Sequence, residues 1–444
     1  MATPIVKQPS LQDATGSSRR SKLALLYPYW QMSVPPTNMS FAMDILGHIH
    51  AQGLSPHADV SFYNVIADSQ AGAEEHEGVR YHNVPAKFDP LLRRALHLTR
   101  SLPGRRFSDP ARPPFASSAY FLEYGCRTAL QMRRDDCDIA HVFIYDQLVP
   151  FVRRFNPDAR IVLHLHDHQQ LQRDRDLLLG RLNQTDMIVG CSQFVTERVR
   201  ERFPEVADRC RAIPNGGALD DDGPSAMTRD GASRIKLMFV GRLSPEKGVH
   251  ILIDAFVRLH RQQPNVSLDL IGPDSVPGAA FVDPFEEDAG FDQVRSFLGP
   301  DQNYRGYLES LIPDDVRASV TFHGEVPHDD LIDHYRQADV FVFPSLWDEP
   351  FGLPVVEAMS LGIPVVVSRG GAFPEIVEDG KSGFVVARGE SNALTEALSR
   401  LVIDGDLRRK MGLLARQRAR EHFSWERYIA DWVVAYDDLL RDER

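Results

Sequence analysis

The sequence predicts an α/β protein made of two doubly wound domains, each built on a parallel sheet. The chain has 444 residues, which is more than one compact core holds and suggests two domains of roughly 200 residues each. Short runs rich in Val, Ile and Phe alternate with longer segments of helical period in both halves of the chain. Strands that are apolar on both faces and separated by helices form parallel sheets that are covered on both sides.

The predicted strands follow one another at the spacing that helical crossovers require. In the first half they are KLALLY (22–27), DVSFYNVI (59–66), IAHVFIY (139–145), RIVLHL (160–165), DMIVGC (186–191) and RAIP (211–214). In the second half they are IKLMFVG (235–241), VSLDLIG (266–272), SVTFHG (319–324), DVFVFPS (339–345), IPVVVS (363–368) and GFVVA (383–387). The last segment, WERYIADWVVAYDDLLRDER, predicts an amphipathic helix beginning near Trp425.

Composition sets the predicted domain boundaries. Residues 1–20 are expected to form a disordered tail. Residues 215–234, NGGALDDDGPSAMTRDGASR, are rich in Gly and Asp without apolar periodicity and indicate a linker. The predicted domains are therefore residues 21–218 and 219–424, followed by the C-terminal helix at 425–444.

Charge and cysteine content exclude several classes of protein. The net charge of −12 argues against a nucleic-acid binder, because phosphate contacts need a basic surface. The four cysteines lack the spacing of a zinc ribbon or a disulfide framework. No N-terminal stretch has the length of a signal peptide, and no run approaches the roughly 20 apolar residues of a membrane span. We therefore expect a cytoplasmic protein.

Two stretches interrupt the alternation of strands and helices. Residues 91–114, LLRRALHLTRSLPGRRFSDPARPP, hold six arginines against one aspartate. They are expected to be irregular, and two interpretations stay open: a solvated loop, or a surface that binds an anionic acceptor or the inner face of a membrane. Residues 273–304 are expected to be a long insertion after a strand, and loops of that length are usually functional or mobile.

One candidate site lies in FPSLWDEPFGLPVVEAMSLGIPVVVSRGGAFPEIV, residues 343–377. A strand is predicted to end at Pro344, and a helix to begin at residues 353–354, where proline is compatible with the first turn. The free N–H groups of that turn form an anion site. Glu349 and Glu357 are expected to face one crevice beyond the carboxyl ends of the strands, where doubly wound sheets bind ligands.

A second candidate site lies in FVGRLSPEKGVHILIDAF, residues 239–256. The strand leads through Gly241 into a turn, and a helix is predicted from about Lys247. Arg242 and Lys247 are cations near a helix start, where the helix dipole disfavours them. A diphosphate, which spreads its charge over several oxygens, accounts for their presence.

In this order, the motifs resemble the retaining glycosyltransferases of family 4, which have the GT-B fold. The similar residues are the GRLSPEKG turn, the Glu349 and Glu357 pair in EPFGLPVVEAM, and GGAFPEIVEDGKSGF at residues 370–384. The resemblance is dense over residues 213–425 and thin over residues 21–212.

The first half matches that family at fewer positions. His166–Asp167 and IPNG at 213–216 are similar to its pattern. Many relatives have a glycine pair after the first strand, whereas this chain has Pro35, Pro36, Thr37 and Asn38 there. Asn38 is a candidate helix cap. The departure leaves the acceptor, which the first domain normally binds, unassigned.

The resemblance implies a GT-B enzyme with a cleft between its domains and a C-terminal helix that packs back on the first domain. The donor would be a nucleotide-diphosphate sugar, bound mainly by the second domain. The acceptor would be a carbohydrate or a lipid-linked molecule, in the synthesis of polysaccharide, lipopolysaccharide or glycolipid. Four catalytic residues are implied: Arg242 and Lys247 on the diphosphate, Glu349 beside the donor sugar, and His166 in the cleft. The implied donor-binding residues are Glu357 at the ribose, Gly241, and the backbone amides of Phe351, Gly352 and Leu353.

The chemistry of such a transfer is consistent with these residues. Breaking the bond between sugar and phosphate develops negative charge on the diphosphate, which two cations stabilise. No metal ion or other cofactor is then required. Glu349 is not assigned as a glycosidase-like nucleophile, because that scheme needs two carboxylates that flank the scissile bond.

Three competing interpretations remain open. A catalytically silent GT-B protein would bind a sugar nucleotide or serve as a partner subunit. A glucan phosphorylase would need a pyridoxal-phosphate lysine that is not identified in the sequence. A metal-dependent hydrolase is suggested only by the histidines of VLHLHDHQQL, residues 162–171.

Those histidines predict one cleft residue rather than a metal site. Asp167 and His168 fall three and four residues after His164, one short of the H-x-H-x-D-H spacing of metallo-β-lactamase-like sites. His164 and His166 share a strand face. His166, at the strand's carboxyl end, is expected to donate to a sugar hydroxyl or to position a ligand. His164 is expected to be structural, and His168 is left open.

Overall fold

The computed structural model describes residues 19–28, 42–66, 72–99, 111–219, 234–275, 297 and 303–442. The chain divides into two compact units. The first runs to Pro214 and takes up the chain again at Tyr428, and the second runs from Asn215 to Arg427.

The first unit is built on a sheet of eight described strands. They lie in the order β3-β4-β2-β1-β5-β6-β7-β8, and every neighbouring pair is parallel except β3 with β4. Strands β1, β5, β6 and β7 are buried almost throughout, as their apolar runs predict. The strand bounds are β1 (Lys22–Tyr27), β2 (Asp59–Ile66), β3 (Gly72–His76), β4 (Val79–Pro85), β5 (Ile139–Phe143), β6 (Arg160–Leu165), β7 (Met187–Gly190) and β8 (Cys210–Ala212).

Helices connect these strands. The described helices are α1 (Ala42–Leu54), α2 (Asp89–Thr99), α3 (Leu122–Asp135), α4 (Val149–Phe155), α5 (Arg175–Leu182) and α6 (Gln193–Arg202). The predicted cap Asn38 and its neighbours at 35–37 lie outside the described residues.

Strands β3 and β4 were not among the predicted strands. They form an antiparallel hairpin through Glu77 and Gly78, which both adopt positive φ, of 51° and 76°. Two positive φ values match the right-handed twist of a two-residue hairpin turn, and glycine adopts them without strain. The signal in the sequence was the EG pair between GAEEH and VRYHNVP.

The prediction that residues 91–114 are irregular is wrong in its first part. Helix α2 covers residues 89–99, because Leu91, Leu92, Leu96 and Leu98 recur at helical spacing among the arginines. Residues 100–110 lie outside the described part of the chain. So does most of the predicted insertion at 273–304, of which residues 273–275, 297, 303 and 304 are described.

The second unit is built on a sheet of six described strands, all parallel. Their order is β11-β10-β9-β12-β13-β14. The strand bounds are β9 (Ile235–Val240), β10 (Val266–Ile271), β11 (Val320–Gly324), β12 (Val340–Phe343), β13 (Val365–Ser368) and β14 (Gly383–Val386).

The helices of the second unit lie between these strands and after them. They are α7 (Val249–Gln262), α8 (Tyr304–Ser310), α9 (Asp314–Arg317), α10 (His328–Tyr335), α11 (Leu353–Ser360), α12 (Phe373–Ile376), α13 (Ser391–Ile403) and α14 (Gly405–Phe423). The last helix, α15 (Trp425–Arg441), joins the first unit from Tyr428 onward. Its buried face carries Tyr428, Trp432 and Tyr436 at intervals of one turn. None of the described helices combines the length and the apolar character that a membrane crossing needs.

Candidate functional site

The predicted site residues of the second unit lie where the strand order of its sheet reverses. Strands β10 and β11 lie on one side of β9, and the later strands β12, β13 and β14 lie on its other side. Strands β9 and β12 are parallel neighbours, so the loops that follow them share one edge of the sheet. Doubly wound sheets bind ligands at such a switch point.

Lys247 and Glu349 are in direct contact at this edge. Lys247 Nζ donates to Glu349 Oε1 over 2.7 Å, and the Ser345 hydroxyl donates to the same oxygen over 2.7 Å. Both charged side chains are buried. The Lys247 ammonium also lies 4.9 Å from the centre of the Trp347 ring, where a cation is attracted to the ring face. The structure thus brings together two of the predicted catalytic residues and fixes both.

Arg242 stands in the same turn and also faces a carboxylate. Its Nη2 atom lies 3.0 Å from Glu246 Oε1, to which Ser244 Oγ donates over 2.6 Å. The predicted helix start near Lys247 is a single 3₁₀ turn over Pro245–Lys247, and α7 begins two residues later, at Val249. Each of the two cations is therefore balanced by a carboxylate, and Glu246, which is fully buried, was missed in the sequence.

The backbone around Phe351, Gly352 and Leu353 forms the start of α11. Gly352 precedes the first helical residue, and its carbonyl accepts from the amide N–H of Val355 over 3.0 Å. The N–H groups of the residues at such a start have no partner within the helix. These N–H groups can bind ligand oxygens at the start of α11, which the proline at position 354 predicted.

The GG pair after β13 supports the loop that carries Glu349. Gly371 has a φ of 55°, and a Cβ atom placed on it would lie 2.1 Å from the carbonyl oxygen of Glu349. The Gly371 N–H donates to Asp348 Oδ1 over 2.8 Å, and Ala372 N–H donates to Glu349 O over 2.8 Å. A residue without a side chain is required here, since the two segments touch backbone to backbone.

Glu357 is held by two side chains of α10. Its Oε1 atom lies 2.9 Å from His328 Nε2, and its Oε2 atom accepts from the Tyr335 hydroxyl over 2.8 Å. The hydrogen bond to Glu357 raises the pKa of His328 above its ordinary value. His328 and Tyr335 are seven residues apart, two turns of one helix face. Sequence reasoning missed both residues, and their helical spacing was the available signal.

His166 lies in the first unit, directly after β6. Its ring is 3.9 Å from the ring of His164, centre to centre, as two residues of one strand face predict. Burial lowers the pKa of His166 to about 3, so its imidazole is neutral at neutral pH. No described residue forms a hydrogen bond with His166 Nε2.

His164 belongs to a buried network that the sequence did not reveal. His164 Nδ1 lies 3.2 Å from His141 Nε2, and His141 Nδ1 lies 2.5 Å from the Tyr436 hydroxyl. That hydroxyl is also 3.0 Å from His50 Nε2, and His50 Nδ1 is 3.0 Å from the hydroxyl of Tyr428. The histidines of α1 and β5 thus bind the tyrosines of α15, and the histidine of β6 binds that of β5. We call these five residues, His50, His141, His164, Tyr428 and Tyr436, the histidine network.

The chain matches two family models that follow one another along it. Residues 59–220 match the model described as glycosyltransferase family 4, and residues 230–418 match the model described as glycosyl transferases group 1. The protein named glycosyltransferase YtcC of Bacillus subtilis is 28% identical over 77% of this chain and 81% of its own length. A relative from Mycolicibacterium smegmatis, named GDP-mannose-dependent alpha-(1-6)-phosphatidylinositol monomannoside mannosyltransferase, is 28% identical over 63% of this chain and 70% of its own length.

Solved structures share the architecture of the whole chain. Sucrose-phosphate synthase of Thermosynechococcus elongatus superposes with a TM-score of 0.66 at 22% identity, over 95% of this chain and 99% of that one. Anabaena HepE, solved in complex with UDP and glucose, superposes with a TM-score of 0.63 at 18% identity, over 94% of this chain and 99% of that one. The predicted fold class, two doubly wound domains of the GT-B type, is confirmed.

Proposed function

Because this chain belongs to the family 4 glycosyltransferases, we propose that this enzyme moves a hexose-type sugar from a nucleotide-diphosphate sugar to a carbohydrate or lipid-linked acceptor, with retention of the anomeric configuration. The observation that carries the proposal is the contact of Lys247 with Glu349 at the switch point of the second sheet. The proposed process is the synthesis of polysaccharide, lipopolysaccharide or glycolipid, and the name of the Mycolicibacterium relative, which mentions a phosphatidylinositol monomannoside, supports the glycolipid alternative.

Lys247 and Arg242 act on the departing nucleotide diphosphate. The ammonium group has three N–H donors, and its bond to Glu349 uses one of them, so two remain for phosphate oxygens. Since the lysine is already held by Glu349 and Trp347, it needs little reorganisation when charge develops. The two cations supply the stabilisation that a divalent ion would otherwise give, and the proposed transfer uses no metal ion.

Glu349 orients groups rather than attacking the sugar. Its Oε1 atom accepts hydrogen bonds from Lys247 and Ser345, which leaves Oε2 for a hydroxyl of the donor sugar. The amides at Phe351, Gly352 and Leu353 bind the other sugar hydroxyls. In front-face retention the leaving phosphate takes the acceptor's proton, so no second carboxylate is needed.

Glu357 recognises the ribose of the nucleotide. An ionised carboxylate offers about four lone-pair positions, and His328 and Tyr335 occupy one on each oxygen. One position on each oxygen then remains for the two ribose hydroxyls. His166, in the first unit, is a neutral imidazole, which suits a hydrogen bond to a sugar hydroxyl better than an ion pair.

A lipid surface as the source of the acceptor is supported by α2. Phe88, directly before the helix, is 64% exposed, and Leu91 and Leu98 on the helix are 60% and 73% exposed. Leu91, Arg94 and Leu98 lie on one face of the helix, since they are three and four residues apart. An exposed apolar stripe beside arginines is typical of helices that lie on an anionic membrane surface. We therefore include a peripheral position at the inner face of a membrane in the proposal.

A thermal-shift screen against sugars of uridine, guanosine and adenosine diphosphates tests the donor assignment. A ligand that binds only the folded protein raises the melting temperature. One nucleotide should raise it in the wild type and in Lys381→Ala, an exposed lysine that serves as a control, but not in Lys247→Ala. If no nucleotide sugar shifts the wild type, or if Lys247→Ala responds like the control, the donor site is wrongly placed.

A further inference from the structure

The second unit contains a cluster of metal-ligand side chains that the transfer reaction does not use. Asp269, His323 and His334 each offer one ligand atom, and these atoms all lie within 4.8 Å of one another. Asp269 Oδ2 is 3.4 Å from His323 Nε2. The rings of His323 and His334 meet edge to face, with 4.9 Å between their centres.

Three elements of the fold converge to form this cluster. Strand β11 is the outer described strand of the sheet and pairs with β10, where Asp269 lies opposite Thr321. His323, two residues after Thr321, is on the same face of β11. The helix α10 follows β11 and leads to β12, and His334 is its penultimate residue. The three side chains come from segments up to 65 residues apart, which sequence spacing does not reveal.

The donor set suits a divalent transition metal ion. Two imidazoles and one carboxylate are ligands that Zn²⁺ and its neighbours prefer, whereas Mg²⁺ prefers oxygen ligands throughout. Zn–N and Zn–O bonds of about 2.0–2.2 Å put tetrahedral ligand atoms roughly 3.4 Å apart. A separation of no more than 4.8 Å therefore closes by side-chain rotation. Asp269 is buried and His323 is open to solvent, which gives an ion both an anchor and an entrance.

A neutral imidazole is the form that binds a metal ion, so the charged groups around the cluster bear on binding. The other charged groups that face His334 are Lys236 and Asp333. Lys236 Nζ lies 3.2 Å from Asp269 Oδ2 and 3.2 Å from Gln337 Oε1.

Lys236 supplies the simplest alternative account, because its ammonium already balances the Asp269 carboxylate. One lysine explains the buried carboxylate but leaves the two converging imidazoles without a reason. The lysine side chain is partly exposed, so it can turn toward solvent and release the carboxylate. Lys236 is thus a competitor for Asp269, and its removal separates the two accounts.

We propose that Asp269, His323 and His334 bind a divalent transition metal ion, with Zn²⁺ as the representative ion, and that the ion ties α10 to the outer strand of the sheet. The site is independent of the proposed transfer reaction. By holding His334, the ion would also fix the position of the next residue, Tyr335, whose hydroxyl donates to Glu357.

Titration of the full chain with ZnCl₂ tests the site. The protein carries no polyhistidine tag and is first dialysed against EDTA, and binding is measured by calorimetry and by the shift in melting temperature. We expect the wild type to bind one ion per chain at this site. In His323→Ala and in His334→Ala, the affinity for that ion should fall at least tenfold. Lys236→Met should bind Zn²⁺ at least as tightly as the wild type, because the competing cation is gone. MgCl₂ should not bind at this site.

The outcomes that overturn the site are equally definite. Absence of Zn²⁺ binding to the wild type would do so, and so would an unchanged number of ions in both histidine variants, which would place the ion at other ligands such as the free cysteines. Weaker binding in Lys236→Met would mean that the lysine supports the cluster rather than competes with it. His323 is an exposed residue of the outer described strand, so His323→Ala is expected to fold even if His334→Ala does not.

Discussion

The histidine network of the first unit and His328 of the second unit are used in opposite ways. In the first unit, the buried rings of His50, His141 and His164 pair with one another and with tyrosines, and burial lowers their pKa values. In the second unit, His328 pairs with the carboxylate of Glu357, and that hydrogen bond raises its pKa. A neutral ring without a counter-charge joins structural elements, whereas a ring that pairs with a carboxylate belongs to a site where charge is handled.

The same difference holds for the other polar groups of the two regions. Around the donor site each cation faces a carboxylate, as Lys247 faces Glu349 and Arg242 faces Glu246. The described hydrogen bonds of the three histidines in the network go to neutral rings and hydroxyls. Removing a charge should therefore impair the donor site. Protonating the histidines at low pH, which adds charge, should destabilise the network.

Acid should destabilise the first unit through the histidine network. Folding lowers the pKa of His50 from about 6.5 to about 3, so the unfolded chain binds more protons between these values. The contribution of His50 to the free energy of unfolding is therefore fully present above the unfolded pKa. It falls by about 1.4 kcal/mol per pH unit as the pH drops below that value. His141 and His164 act in the same direction. Urea unfolding followed by circular dichroism should show a loss of about 2 kcal/mol from His50 between about pH 7 and about pH 5, and a larger total loss because His141 and His164 also titrate.

The variant His50→Gln tests whether the histidine network causes this loss of stability in acid. It removes one titrating ring while keeping a polar side chain for Tyr428 and Tyr436. Its loss of stability between the two pH values should be smaller than that of the wild type by about 2 kcal/mol. His97→Gln, at an exposed position on α2, serves as the control and should lose as much as the wild type. Equal acid sensitivity in His50→Gln and the wild type would show that the network does not carry the effect.

Removal of the charge at Lys247 should abolish most of the transfer activity. Loss of one preorganised donor to a developing oxyanion costs about 10²–10³-fold in kcat. Lys247→Ala and Lys247→Gln should both show this loss with a donor identified by the thermal-shift screen. The glutamine variant keeps a donor toward Glu349, so it isolates the effect of the charge. Lys381→Ala should retain wild-type kcat, and activity within tenfold of wild type in both Lys247 variants would contradict the assigned role.

How much the sequence predicts differs between the two regions for a physical reason. Strands β1, β2 and β6 lie at the residues that the apolar runs predict, and the Arg242–Lys247 turn and the Glu349–Glu357 pair are each contiguous segments. The histidine network joins residues as far apart as 386 positions. The two residues that form hydrogen bonds with Glu357, His328 and Tyr335, come from a different helix. Local patterns predict elements and motifs, but side-chain partners that meet through the fold leave no spacing in the sequence.

Gly371→Ala should disturb the donor loop without changing any charge. The added Cβ atom would meet the Glu349 carbonyl at 2.1 Å in a backbone with a φ of 55°, and the strain should cost about 1–3 kcal/mol. Gly380→Ala is a matched control, since its φ is 75° but nothing lies within 4 Å of the added atom, and it should cost about 1 kcal/mol. Thermal unfolding measures both. Equal costs would mean that the backbone contact at Glu349 is unimportant.

The smallest expected effect is that of His328→Gln, and it has the opposite pH dependence from the network. The folded pKa of His328 is raised above its unfolded value of about 6.5. Its contribution is therefore fully present below about pH 6.5 and is lost as the pH rises through the folded pKa. The wild type should exceed the variant in stability by about 1 kcal/mol at about pH 6 and by less at about pH 9. Tyr335→Phe, which removes the other bond to Glu357, should cost a similar amount that does not change over this range. A difference between His328→Gln and the wild type that grows with pH would reverse the assigned sign and place His328 with the buried, neutral histidines of the first unit.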